Sequence, residues 1–142
     1  MRKPTVCIIL AATCLISSPL VAGGDPAMSE DDNAKNNVWH KAKLRGVAFR
    51  AIGQEPGWLL EIKKGQEILI VNNYGESRTS YLWVEPQEDK AARTTRFQVD
   101  ADTSVLIEGK PCSDSMSGET FQSTVTVKTG MRTLKGCGRA LV

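Results

Sequence analysis

Histidine is almost missing from this chain of 142 residues: there is one, His40. A Ser-His-Asp or Cys-His arrangement needs a preorganised base, and His40 lies in a polar stretch ahead of the first expected strand, where it reads as a surface residue. Gly-rich phosphate loops, a P-loop and a dinucleotide fingerprint are also absent. Carboxylates could act without histidine, but Glu55, Asp114 and Glu119 sit in expected loops at spacings that select no acid/base pair. Cysteine is scarce. Cys7 and Cys14 fall in the N-terminal apolar stretch, leaving Cys112 and Cys137 for the rest of the chain. Two cysteines lack the third and fourth ligands that structural zinc takes, and no C-x-x-C pair is present to lower a thiol pKa. The expectation is a protein without metal, cofactor or enzymatic activity.

Long apolar runs are missing as well. The longest, from Val6 to Ile16, covers about 11 residues, against roughly 20 for a helix that spans the hydrocarbon core. It follows Arg2 and Lys3 and precedes a more polar segment ending Leu20-Val21-Ala22, which is the anatomy of a secretory signal. Residues 1–22 are therefore expected to be a signal peptide, with cleavage after Ala22 or Gly23. The alternative is a lipoprotein signal with lipidation of Cys14, although Thr13 stands where Gly or Ala usually precedes the lipidated cysteine. Either route implies an exported protein of the periplasm or cell envelope, membrane-anchored if Cys14 is lipidated, with no transmembrane helix in the mature chain. Loss of Arg2 and Lys3 leaves sixteen bases against sixteen acids, so the formal charge of +2 belongs to the precursor. Nucleic-acid binding has no electrostatic support.

Residues 23–42 are polar and acidic and are expected to form a disordered linker. Beyond them, residues 43–142 read as one small β domain, because short apolar alternations are separated by turn signals and no long amphipathic helix appears. Leu44, Val47, Phe49 and Ile52 suggest a first strand; Glu55-Pro56-Gly57 then supplies a turn. Trp58, Leu60 and Ile62 alternate with Leu59, Glu61 and Lys63, and a turn at Lys64-Gly65-Gln66 leads into the strand from Glu67 to Asn73. The stretch from Thr79 to Val84 is apolar on both faces and is expected to be a central strand. Phe97 and Val99, Val105 to Glu108, and Phe121, Val125 and Val127 mark further strands, with a hairpin at Thr129-Gly130. About eight strands in 100 residues favour a small antiparallel barrel, whose closure removes aggregation-prone edges.

In an exported domain, the pair Cys112 and Cys137 reads as a disulfide. Between them, Pro111-Cys112-Ser113-Asp114-Ser115-Met116-Ser117-Gly118-Glu119 is the densest cluster of special residues. Its Ser and Asp side chains can bond their own backbone, with Gly118 taking positive φ. A loop restrained in this way also loses little entropy on association, so Ser113, Asp114, Met116, Ser117 and Gly118 form the candidate binding loop. Trp58, Trp83 and Phe97 are expected core residues; the alternative is a lipocalin-like barrel in which they line a small-ligand cavity.

Two motifs carry a resemblance. Phe49-Arg50-Ala51-Ile52-Gly53-Gln54-Glu55-Pro56-Gly57-Trp58, together with Pro111-Cys112-Ser113-Asp114-Ser115-Met116-Ser117-Gly118 and Gly136-Cys137-Gly138, resembles an uncharacterised family of bacterial envelope proteins described as predicted lipoproteins or membrane proteins. The likeness covers about residues 43 to 142. It implies an exported β domain bridged from Cys112 to Cys137, and carries no activity. Ser117-Gly118-Glu119-Thr120-Phe121 is also similar to the S-G-x-x-Y/F loop of membrane-bound inhibitors of C-type lysozyme, in which that loop enters the enzyme cleft; here Phe121 replaces the usual Tyr. With no catalytic constellation in the chain, the leading expectation is a non-catalytic protein-binding or envelope-stress module, the alternatives being inhibition of C-type lysozyme through the Ser117-Gly118 loop and the lipocalin-like carrier. Its expected partner is another envelope protein or an exported enzyme such as lysozyme.

Overall fold

The computed structural model describes residues 38–142. The expected signal peptide, Cys14 and the linker up to residue 37 lie outside the described residues. Eleven strands follow: β1 (Phe49–Gly53), β2 (Trp58–Lys63), β3 (Glu67–Asn72), β4 (Ser77–Leu82), β5 (Gln87–Asp89), β6 (Thr94–Gln98), β7 (Thr103–Glu108), β8 (Cys112–Ser113), β9 (Thr120–Phe121), β10 (Ser123–Thr129) and β11 (Arg132–Ala140). Nine of them form one antiparallel sheet in the order β4-β3-β2-β1-β11-β10-β7-β6-β5, and β8 pairs with β9 in a separate ladder. The sheet curls into a half-barrel. The all-β antiparallel reading holds, with closure incomplete: β4 and β5 remain as edges.

The concave core comes directly from alternation. Trp58, Leu60 and Ile62 of β2 face Ile68 and Ile70 of β3, Phe97 of β6, Val105 of β7, Val125 and Val127 of β10 and Leu134 of β11. Each large apolar side chain so buried contributes about 1.5–3 kcal/mol. Trp83 reaches this core from beyond β4 and meets Phe97 edge-on, with ring centroids 5.6 Å apart. The interior at Trp58 and Phe97 is thus filled by side chains, and what remains open at that end is a cleft of about 310 Å³ beside Phe49, Trp83 and Ile107.

Two expectations are corrected. The stretch around β4 is an edge, although both its faces carry apolar residues: Leu82 is 85% exposed, and the strand pairs only with β3. Residues 38–44, assigned largely to the linker and in part to the first strand, are helical instead. Trp39 and Ala42, three residues apart on one helical face, are buried, whereas Leu44 is exposed. Trp39 packs on Phe121 at 5.5 Å between ring centroids. With Cys137 and the flanking Ile52, Cys112 and Leu141, these residues form a second, smaller core. It lies on the face of β1 and β11 opposite the concave one, since Ile52 and Cys137 alternate with the inward-facing Ala51.

Candidate functional site

The separated sequence motifs meet at one end of the molecule. Gly53 precedes the Gln54–Gly57 turn, and Trp58 folds back across it, donating its indole N–H to the Lys135 carbonyl at 3.3 Å. That packing requires missing side chains on the opposite strand. A Cβ at Gly136 would collide with the Ile52 carbonyl oxygen and stand 2.7 Å from the Trp58 ring; one at Gly138 would stand 2.7 Å from the Phe49 ring. The Gly-Cys-Gly run therefore lets β11 approach β1 and the tryptophan closely, and it sets Cys137 between two glycines. Cys137 is bonded to Cys112, with Cα atoms 5.4 Å apart, as expected from the sequence. The β8–β9 ladder is thereby clamped onto β11.

From that clamp projects the loop between β8 and β9. Asp114 is the residue that shapes it. Its side chain is turned inward, leaving the residue 7% exposed, and its Oδ2 accepts the Ser117 N–H at 3.0 Å. Its carbonyl accepts the Gly118 N–H at 2.8 Å, and its own N–H donates to the Glu119 carbonyl at 2.9 Å. Ser117 Oγ accepts the Glu119 N–H at 3.2 Å, and Gly118 takes φ of +69°. Ser113 and Thr120 face each other across the base, their hydroxyls 3.5 Å apart. The loop thus satisfies its own backbone as local Asx and Ser turns do. Met116 stands at its tip, 73% exposed.

All five proposed loop residues fall in this one structure, but in two roles. Ser113 and Asp114 form the base. Met116, Ser117 and Gly118 form the exposed tip. Beside the loop is a notch of about 240 Å³, bounded by Gln54 on one side, Ser113 to Ser115 on the other and Gly136 below. Gln54 was not singled out by the sequence, and the proximity of the E-P-G-W turn to the serine loop arises only through the β1–β11 pairing. No group of three or more His, Cys, Asp or Glu that could hold a metal occurs among the described residues. His40 is exposed on the 38–44 helix.

The root of the loop is braced by Arg139. It pairs with Glu119 at 3.2 Å and lies over Trp39, its guanidinium carbon 4.3 Å from the ring centroid. Arg50 approaches the same indole at 4.7 Å. Such cation–π contacts add roughly 0.5–2 kcal/mol each, and here they tie helix, loop and sheet together. No helix of the described residues is long and apolar enough to cross a membrane. No protein-family model, curated protein or solved structure matches the chain.

Proposed function

We propose that this is a non-catalytic binding module of the cell envelope, exported by its N-terminal signal, which recognises a protein partner through the Met116–Ser117–Gly118 tip and the adjoining notch at Gln54. One observation carries the reading: the loop's conformation is held from within by Asp114 and from below by the disulfide, while its apolar tip residue is left in water. Preorganisation of this kind lowers the ordering cost of association. An exposed Met gives an adaptable apolar contact, and the notch is of a size to take one partner side chain.

The test is photo-crosslinking in the producing cell, repeated on its envelope extract with C-type lysozyme added. A photoreactive phenylalanine analogue replaces Met116 in one variant and Met131 in another; Met131 is fully exposed on the β10–β11 hairpin. A discrete protein adduct from position 116 and none from 131 is the expected result. Equal adducts from both positions, or none from 116, would remove the loop as the recognition surface. Among exported enzymes, C-type lysozyme is the specific partner that the exposed Ser117-Gly118 turn favours. On that reading the wild-type protein slows lysozyme and Ser117→Ala does so less.

A further inference from the structure

A second site is built on the outer face of the sheet towards its β4 edge, where polar side chains of β1 and β2 stand beside apolar ones of β3. The registers Arg50↔Glu61 and Glu61↔Leu69 place those three side chains in one row across β1, β2 and β3, on the face turned away from the concave core. A neighbouring row brings Leu59 of β2 beside Val71 of β3 and Arg78 of β4. Arg45, from the segment after the helix, closes the side. The result is a groove of about 410 Å³ with Leu59 and Leu69 in its lining and cationic side chains around it.

Charge in the groove is unbalanced. Four bases, Arg45, Arg50, Lys63 and Arg78, stand against Glu61 and Glu67, a formal excess of two positive charges. Both carboxylates are already engaged. Glu61 accepts from Arg45 at 2.8 Å and Arg50 at 3.2 Å. Glu67 accepts from Lys63 at 2.9 Å and from the Ser80 hydroxyl at 2.7 Å. Those hydrogen bonds, Lys63's first, hold the Glu67 carboxyl below its ordinary value, so it stays ionised and occupied. Arg78 has no ion-pair partner among the described residues, and Arg45 keeps half its side chain in solvent. Burial pulls the Arg50 guanidinium below the usual arginine range in spite of Glu61, with Arg45 and Arg139 adding repulsion. The groove is therefore short of negative charge.

We propose that this groove binds the phosphate group of a small molecule, with Arg78 and Arg45 as its principal donors. A phosphate near neutral pH carries close to two negative charges, which matches the excess. Guanidinium forks present paired N–H donors to such an oxyanion. The apolar lining at Leu59 and Leu69 leaves room for a hydrocarbon portion attached to it, as in a lipid headgroup. This site is separate from the serine loop, and its existence does not depend on the binding-module reading.

Arginine Nε–Hε and backbone amide NMR signals, followed during titration with inorganic phosphate in low-salt buffer, test the assignment. Saturable shifts confined to Arg45, Arg50, Lys63 and Arg78 are expected, with binding weakened at least tenfold in Arg78→Gln, an exposed edge-strand substitution that the fold tolerates. A second arm uses a short-chain phosphatidate below its micellar concentration. Tighter binding than phosphate identifies a lipid headgroup, and equal binding identifies free phosphate. The proposal fails if shifts do not saturate at tens of millimolar, if Arg78→Gln responds as wild type does, or if Lys110 and Lys128, which do not line the groove, shift equally.

Discussion

Glu61 and Asp114 are both acidic side chains withdrawn from water, and they do different work. Asp114 answers neighbouring backbone donors and so fixes a local shape. Glu61 answers two arginines from separate segments, Arg45 and Arg50, and so ties the chain after the helix to the outer face of the sheet. Glu61→Gln keeps the volume and removes the charge. Arg50, with only 12% of its side chain exposed, then lacks its counter-ion, while the Arg45 contribution is small because that side chain is half in solvent. The expected loss is about 2 to 3 kcal/mol, read as a lower urea midpoint at unchanged slope. An unchanged midpoint would show that the pair contributes nothing net. The Arg50↔Glu61 juxtaposition was not legible from sequence, since an alternating Leu-Glu-Ile-Lys strand looks the same whether its polar face meets water or an arginine. What was legible at this scale was the pairing of Cys112 with Cys137, because they are the two cysteines beyond the N-terminal apolar stretch, and the self-bonded serine loop, because it depends on local chemistry.

At the scale of elements, strands β2 and β10 follow their two-residue alternation, β3 is instead apolar and buried on both faces from Ile68 to Val71, and the turns after β2 and β10 fall at Gly65 and Gly130 as read. The misplacement of β4 has a physical cause. Tyr81, Leu82, Trp83 and Val84 are apolar in both phases, a pattern that signals double-sided burial, yet the chain leaves the sheet after Leu82 and only Tyr81, Trp83 and Val84 reach the concave core. Edge position is a property of strand order, which is set by distant pairings. The helical stretch at 38–44 was hidden for another reason: apart from the Trp39 and Ala42 spacing its residues are mostly polar and carry too little apolar signal to show a helical period. The β8–β9 ladder, at two residues per strand, has little pairing of its own and depends on its covalent clamp. Reduction of the disulfide, which spans 25 residues of sequence, is expected to cost about 3.5 kcal/mol on the chain-entropy account. Thermal unfolding with and without reductant measures it, and a shift confined to the loop without loss of global stability would contradict that account.

On the scale of the whole molecule, the half-barrel separates two tasks. The concave core, filled by Trp58, Phe97 and the aliphatic residues of six strands, supplies most of the stability. The opposite face is divided between the small core under Trp39, which braces the serine loop, and the cationic groove over β2 to β4. The two proposed recognition surfaces are thus mounted on the sheet away from its edge at β5, where Gln87, Glu88 and Asp89 are exposed and discourage strand addition. A stiff scaffold under a stiff loop is the physical content of the binding-module account, and the stiffness is measurable without knowing the partner. Backbone amide hydrogen exchange at Ser117, Gly118 and Glu119 in the oxidised, unbound protein is the most direct measurement of it. Asp114 and Ser117 accept all three of these N–H groups, so protection of at least tenfold over an unstructured chain is expected at each. Asp114→Ala should abolish it at Ser117 while exchange in β10 stays slow. Unprotected exchange at all three positions in the wild-type protein would contradict the account, because the loop would then have no shape to present before its partner arrives.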